Sequence, residues 1–315
     1  MRLGVTFPFE DLPLRESLVL LEKAEALGYR GAWSYERNVF DAFSPLAAAA
    51  MATREMRLGT SIVPVFTRPA GLIAMSAAAL GELAPGRFVL GLGSSTEAVV
   101  TGWMGLPYGR PLTRLRDTVL AVRALLDGER VGAMRLHRLP PEPVPIYVAA
   151  LGERMLRLAG EVADGVVFFM AGAGAVPDLV AGTGRALYSV ARVIMVCGAD
   201  HEANLAFARR FIAGYAILPF YARFLARQGF GAEVAAVQAR WAAGDRAGAP
   251  AEVSEAMVAE LMLLGTDPRL QERMGRFESA ALGTLDLWFM SPAAAPEQKR
   301  SDLERGLSEA ITLRV

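Results

Sequence analysis

The feature that most constrains the fold of this chain is a regular alternation of short strand-forming runs and longer helical segments. Eight strand-forming runs can be read along the 315 residues: Arg2–Phe7, Gly31–Glu36, Arg57–Val65, Arg87–Gly93, Pro145–Ala150, Asp164–Met170, Arg192–Gly198 and Leu285–Met290. Strands joined through helices pair in parallel, because a helical crossover returns the chain to the same end of the sheet. Eight such units in about 300 residues predict an α/β fold of the (β/α)8 type, a TIM barrel. A doubly wound parallel sheet is the competing architecture.

The helical segments vary in length, and one is much longer than the others. Ser44 and Pro45 predict the N-cap and first turn of the helix after the second strand. Between the seventh and eighth strands, residues from about 202 to 264 read as a long helical insertion. No internal repeat or low-complexity linker divides the chain, so we expect a single domain over residues 1–315.

Composition excludes several classes of protein. The 33 basic and 33 acidic residues give a net charge of +0 without a basic stripe, which argues against a nucleic-acid partner. Cys197 stands alone, so an internal disulfide is excluded. The two histidines, His137 and His201, have no metal-ligand spacing, and we expect no metal. With neither a signal peptide nor an apolar run long enough to span a bilayer, we expect a cytoplasmic protein without a membrane partner.

The fourth strand runs into a loop rich in glycine and hydroxyl residues. Gly91 and Gly93 would let a ligand approach the backbone, and Ser94, Ser95 and Thr96 supply hydroxyl and amide groups. In a TIM barrel the loops after the strands form the active-site mouth. The segment lacks the third glycine of a dinucleotide-binding fingerprint and the Gly-Lys-Ser/Thr of a P-loop. It therefore predicts either a ligand-binding loop of another kind or a plain turn.

Five segments in a fixed order carry a resemblance to a known family: "RLGTSIVPVFTRP", "GRFVLGLGSS", "GWMGLPYGRPLTRLRDTV", "PIYVAALGERMLRLAGEVADGV" and "FYARFLARQGFG". The chain resembles the luciferase-like superfamily of flavin and deazaflavin oxidoreductases. Within it the chain is most similar to the coenzyme F420-dependent branch that includes methylenetetrahydromethanopterin reductase. The resemblance implies a (β/α)8 barrel, a homodimer, and hydride transfer between F420 and a small organic substrate with a C=C, C=N or similar bond.

The resemblance also implies a cofactor site built on four strands. Family members have a non-prolyl cis peptide in the third strand, and the matching bond here joins Ser61 to Ile62. Backbone amides of a turn after the fifth strand bind the phosphate side of the cofactor. The residues implied as cofactor-binding are Ser61, Ile62, Pro64, Ser94, Ser95, Ala149, Ala150, Leu151, Gly152 and Phe169.

Acid–base chemistry is the least determined part of the site. Relatives that oxidise sugar phosphates or alcohols have an Asp-His pair after the second strand, where this chain has Glu36 and Arg37. The resemblance assigns Glu36 a contact with the ring or a proton relay, and the change of pair argues against the subgroup of sugar-phosphate and secondary-alcohol dehydrogenases. An ion pair between Glu36 and Arg37 or Arg54 is the alternative.

Three functions stay open from the sequence. An F420-dependent oxidoreductase is favoured, and an FMN-dependent monooxygenase of the same superfamily is the alternative. The third is a barrel without catalysis that binds a partner or a flavin-like ligand. Aromatic residues in the helical insertion either form a lid over an apolar substrate or cover a small core of their own: Tyr215, Phe220, Tyr221, Phe224, Phe230 and Trp241.

Overall fold

The structure is a computed structural model that describes residues 1–9 and 12–313. Its strands are β1 Arg2–Thr6, β2 Gly31–Ser34, β3 Arg57–Thr60, β4 Val63–Pro64, β5 Phe88–Gly93, β6 Ile146–Ala149, β7 Gly165–Phe169, β8 Tyr188–Val196, β9 Met262–Leu264 and β10 Thr284–Met290. Its α-helices are α1 Leu14–Leu27, α2 Phe43–Ala52, α3 Ala70–Leu83, α4 Pro111–Leu126, α5 Glu153–Val162, α6 Val176–Ala181, α7 His201–Ala216, α8 Pro219–Leu225, α9 Gly231–Ala242, α10 Glu255–Leu261, α11 Leu270–Ser279 and α12 Pro296–Thr312. Two π-helical segments cover Ala98–Trp103 and Ala226–Phe230, and a 3-10 turn covers Ala249–Glu252.

The strands form a (β/α)8 TIM barrel, as the alternating pattern predicts. The hydrogen-bonded order is β10-β1-β2-β3-β5-β6-β7-β8, and β10 also pairs with β8. The two short strands lie outside this order, β4 on β5 and β9 on β8. Among the described residues, none of the helices has the length and apolar character that a bilayer crossing needs.

Two local expectations were wrong. The last three residues of the segment expected to be helical form β9, because Met262–Leu264 pairs with Ile194–Val196. The helix α2 begins at Phe43 rather than after Ser44. The Asp41 carboxylate accepts hydrogen bonds from the backbone amides of Phe43 and Ser44, at 2.9 and 3.0 Å, and so performs the capping expected of Ser44.

The described chain divides into two compact units. The first, called the N-terminal unit, comprises the described residues of 2–168 together with Leu179–Val190. The second, called the C-terminal unit, comprises Met1, Phe169–Asp178 and the described residues from Ala191 onward. The single-domain organisation of residues 1–315 stays a prediction.

One tryptophan dominates the core of the N-terminal unit. The indole of Trp33, on β2, is completely buried among Val89, Tyr147, Val167 and Val190. Its space comes from glycines: a Cβ on Gly59 would overlap the six-membered ring, and a Cβ on Gly4 would lie 3.0 Å from the indole. Strands β1 and β3, which flank β2, thus carry glycines beside Trp33, the largest side chain of this core.

Candidate functional site

A bulge divides the third barrel strand into β3 and β4. The structure has a cis peptide between Ser61 and Ile62, as the resemblance implies. The Ser61 amide donates to the Ser34 carbonyl at 2.5 Å, and the Glu36 amide donates to the Ile62 carbonyl at 3.2 Å. Beyond the bulge, Pro64 pairs with Gly93 on β5. Ser61 is buried, whereas Ile62 is partly exposed at the C-terminal end of the strand.

The two glycines of β5 make room for this bulge. A Cβ on Gly91 would overlap the carbonyl oxygen of Thr60. A Cβ on Gly93 would lie 2.9 Å from Ile62 side-chain carbons and 3.3 Å from the Cβ of Ala149. The structure therefore brings three predicted site elements together, namely the bulge, the end of β5 and the end of β6. The sequence analysis expected Gly91 and Gly93 to let a ligand approach the backbone, but in the structure the space beside them is occupied by Thr60 and Ile62.

The serines after β5 form a partly exposed turn. Ser95 lies in the left-handed region with φ 57°, and the Tyr108 hydroxyl is 3.4 Å from its carbonyl oxygen. The Ser94 hydroxyl is 3.4 Å from the same carbonyl. The π-helical segment Ala98–Trp103 follows, and Trp103 at its end is half exposed. The turn thus presents polar groups directly after the buried end of β5.

The turn after β6 leads directly into the N-terminus of α5. The Ala150 amide donates to the Val167 carbonyl at 3.2 Å, and Leu151 is buried. Gly152 occupies the N-cap position and offers no capping side chain. Glu153, in the first turn, pairs with Arg157 along the helix. Amide groups at an uncapped helix N-terminus favour an anion, both as donors and through the helix dipole.

Glu36 is held by two residues of the loop between β4 and α3. Its Oε2 accepts from Nε and Nη2 of Arg68 at 3.1 and 3.0 Å, and its Oε1 accepts from the Thr67 hydroxyl at 3.0 Å. Only 6% of the Glu36 side chain is exposed. The sequence analysis missed Arg68 as the partner, although the "FTRP" segment was among the markers of the resemblance.

A second carboxylate shares the same arginine. Asp41 Oδ1 lies 3.6 Å from Arg68 Nη2, and the guanidinium also stacks over the Phe43 ring at 5.3 Å. Burial by itself would raise the pKa of Asp41. Hydrogen bonds from Ser44 and Phe43 and the charge of Arg68 outweigh burial and hold that pKa below its usual range. The arginine therefore ties the loops after β2 and β4 together.

Phe169 belongs to the C-terminal unit and ends β7. Its ring contacts Tyr215, Tyr221 and Trp288, with centroid distances of 5.3, 6.2 and 6.1 Å. Burial and then the neighbouring Tyr215 raise the pKa of the Tyr221 phenol well above its usual range. Two aromatic residues of the helical insertion, Tyr215 and Tyr221, thus pack around the predicted ligand contact, whereas Trp241 stacks with Arg246 instead.

The residues in the N-terminal unit fit a ring with an anionic substituent. At the ends of β3, β5 and β6 they combine an apolar side chain, small residues and hydroxyl groups: Ile62, Gly93, Ser94, Ser95 and Ala149. The uncapped N-terminus of α5 follows in the same chain segment as Ala149. No cluster of three or more potential metal ligands occurs within residues 1–9 and 12–313.

Comparison with known sequences gives one family and several relatives. A family model described as luciferase-like monooxygenase matches residues 1–283. The 5,10-methylenetetrahydromethanopterin reductase of Methanolobus tindarius is 34% identical over 177 residues, or 53% of this chain and 53% of that protein. The F420-dependent glucose-6-phosphate dehydrogenase of Beutenbergia cavernae is 33% identical over 211 residues, or 60% of this chain and 59% of that protein. The alignments thus span little more than half of each relative.

Comparison with solved structures shows the same fold with two different cofactors. The coenzyme F420-dependent tetrahydromethanopterin reductase from Methanopyrus kandleri superposes with a TM-score of 0.73 at 20% identity, covering 98% of this chain and 97% of that one. The oxygenating constituent of 3,6-diketocamphane monooxygenase from Pseudomonas putida, solved with FMN, superposes with a TM-score of 0.64 at 16% identity, covering 98% and 96%.

Proposed function

The chain belongs to the luciferase-like monooxygenase family, and on that premise we propose that it is a coenzyme F420-dependent oxidoreductase. It would transfer a hydride between the deazaflavin and a small organic substrate, reducing a C=C, C=N or similar bond. The observation that carries the proposal is the edge formed by the Ser61–Ile62 bulge against Gly93 and Ala149. Two relatives, the Methanopyrus kandleri reductase and the Beutenbergia cavernae dehydrogenase, are named for dependence on F420, which favours this cofactor.

Each part of the proposed site has a physical role. Ile62 offers an apolar surface to the ring, and Ser61 and Pro64 fix the backbone on either side of it. Ser94 and Ser95 supply polar groups beside the ring. The Ala150 amide is used by the Val167 carbonyl, so the turn Ala149–Leu151 would position the phosphate and the amides at the N-terminus of α5, from Gly152 onward, would bind it. Phe169 provides a further aromatic contact. When bound, F420 supplies the hydride chemistry, and the protein's contribution is orientation and exclusion of water.

Glu36 is better suited to positioning the bulge than to relaying a proton. Its carboxylate accepts three hydrogen bonds from Thr67 and Arg68, so its lone pairs are directed at those donors. Its backbone amide holds the Ile62 carbonyl. A general acid or base needs to reach the substrate, and a carboxylate held in this way would first have to leave Arg68. We infer that Glu36 supports the cofactor surface from behind.

Glu36 also bears on the class of substrate. The sequence argument against sugar phosphates rests on Glu36 and Arg37, and the ion pair of Glu36 with Arg68 strengthens it. Although one relative is named a glucose-6-phosphate dehydrogenase, we propose a substrate of another class.

FMN is the second candidate cofactor, because a barrel of the same fold was solved with it. Titration of the purified protein with oxidised F420 and, separately, with FMN distinguishes the two, since their absorption spectra differ. Saturable binding of F420 with weaker binding of FMN supports the proposal, and the reverse order supports a flavin monooxygenase. Binding of neither would support the barrel without catalysis.

A homodimer is also proposed, from the family resemblance. Exposed apolar side chains on α2 and α3 are consistent with it: Met51, Leu72, Met75 and Leu83. Sedimentation equilibrium tests this directly, and a mass near twice the 33.7 kDa of the chain is the expected result. A mass equal to that of one chain would contradict it.

A further inference from the structure

The turn after β7 has a backbone path that its own sequence does not favour. This segment, Met170–Gly174, is called the β7 exit turn. Met170 adopts φ 58°, in the left-handed region that residues other than glycine rarely enter. At Gly172 a Cβ would lie 2.5 Å from Cγ of Glu260. The path is therefore determined by side chains that pack on the turn from the helical insertion.

Gln228 makes the most complete of these contacts. Its Nε2 donates to the Met170 carbonyl at 2.9 Å, and its Oε1 accepts from the Gly172 amide at 2.9 Å. Both functional atoms of one carboxamide are thus used by one turn. Glu260 adds a second attachment, since its Oε1 accepts from the Gly174 amide at 3.0 Å and its Oε2 pairs with Arg276 at 2.7 Å.

The residue immediately before the turn is Phe169. Its ring is partly exposed and packs against Tyr215 and Tyr221 of the same insertion. The position of this ring depends on where the Phe169 backbone lies, and that backbone is joined directly to the turn at Met170. A group that fixes the Met170 carbonyl therefore also restricts the Phe169 ring.

We propose that Gln228 is a positioning residue that sets the β7 exit turn and, through it, the orientation of Phe169 toward the bound ligand. The role of Phe169 as a ligand contact rests on the proposed function. Glutamine suits the position because its carboxamide carries a donor for the Met170 carbonyl and an acceptor for the Gly172 amide on two separate atoms. Glutamate would keep the acceptor and lose the donor, and alanine would lose both.

The first test measures the turn without any ligand. Hydrogen exchange of the Gly172 amide is compared in the wild type, Gln228→Ala and Gln238→Ala. Gln238 is a matched control, since its Nε2 donates to the Ala216 carbonyl at 3.0 Å elsewhere in the insertion. Exchange at Gly172 is expected to be roughly 10-fold faster in Gln228→Ala only. Equal exchange in all three proteins would overturn the proposal.

The second test asks whether Gln228 acts through Phe169. F420 affinity is measured in Gln228→Ala, Gln228→Glu, Phe169→Ala and the double alanine variant. Gln228→Ala is expected to weaken binding by roughly 10-fold, with Gln228→Glu weakening it less, and to have no further effect when Phe169 is already alanine. Independent, additive losses would contradict positioning. If the wild type binds neither F420 nor FMN, the proposed function fails, and the exchange measurement still decides the role of Gln228 in the turn.

Discussion

Glu36 and Arg68 illustrate how much a single buried contact contributes to the candidate site. The pair lies under the bulge, and the Glu36 carboxylate is almost fully buried. Removing the Glu36 charge leaves the largely buried Arg68 with the longer 3.6 Å contact to Asp41, and a buried charge that is less well compensated costs more than the pair itself contributes. A neutral residue at position 36 therefore weakens the loop between β4 and α3 as well as the bulge.

We predict that Glu36→Gln lowers the free energy of unfolding by about 2–4 kcal/mol. The control is Glu304→Gln, because the exposed pair of Glu304 with Arg300 should contribute less than about 0.5 kcal/mol. Urea unfolding of both variants measures the difference. Equal stability of the two variants would show that the Glu36 pair contributes no more than a surface contact.

Glu25 makes a second prediction at this scale, which concerns pH. Its carboxylate accepts from the amides of Arg54, Glu55 and Met56, at 2.8–3.1 Å. Burial would raise the pKa of Glu25, but these amides and Arg87 outweigh it and hold the pKa below 4.5. Because the folded pKa lies below the unfolded one, the stabilisation is present above pH 4.5. It is lost as pH falls below that value.

Glu25→Gln should therefore cost about 1–2 kcal/mol of unfolding free energy at pH 7. The difference from the wild type should shrink as pH falls below 4.5. Glu22→Gln, an exposed residue of the same helix, is the control and should have little effect. Chemical denaturation at pH 7 and at pH 3.5 measures both variants, and a difference that is constant with pH would contradict the assignment.

At the scale of elements, a glycine on one strand leaves the space that a large group on the neighbouring strand occupies, so the packing is understood only from both strands together. Trp33 on β2 occupies space left by glycines on β1 and β3. In the same way the bulge after β3 occupies space left by Gly91 and Gly93 on β5. A glycine in a strand normally weakens the strand. At each of these positions the lower strand propensity is offset by close packing against the neighbouring strand.

Gly59→Ala is predicted to destabilise the protein by about 3 kcal/mol or more, because its Cβ would overlap the ring of Trp33, which is completely buried. Gly275→Ala in α11 is predicted to stabilise the protein instead. Its Cβ meets nothing within 4 Å, and alanine is more favourable than glycine in a helix by up to ~1 kcal/mol. Thermal unfolding should place the two variants on opposite sides of the wild type. Equal melting temperatures would refute the packing argument.

The sequence predicted these elements unevenly, for physical reasons. Long apolar runs located the eight barrel strands, because burial on both faces leaves a clear signal. The three residues of β9 were missed, since a strand that short has no period to detect. The helix α6 was also missed, for the same reason. The cap of α2 was placed on Ser44 because that residue directly precedes Pro45, and the sequence does not show that the side chain of Asp41 reaches the amides of Phe43 and Ser44.

At the scale of the whole molecule, the candidate site combines local and distant information. The Ser61–Ile62 cis peptide was located correctly through the family resemblance, and its structural neighbours Gly93 and Ala149 follow from strand order. Side-chain contacts between residues far apart in the sequence could not be predicted from the family resemblance or from the strand order. Arg68 lies 32 residues from Glu36, and Gln228 lies 58 residues from Met170. Only the folded chain brings such pairs together.

The most direct test of the account is F420 affinity in the wild type, Gly93→Ala and Gly102→Ala. The alanine Cβ at position 93 would displace Ile62 from its place against β5, whereas at position 102 it meets nothing within 4 Å. Calorimetric titration is predicted to show tight binding by the wild type and by Gly102→Ala, and binding at least about 10-fold weaker by Gly93→Ala. Equal affinity in all three proteins would place the ring elsewhere and contradict the account.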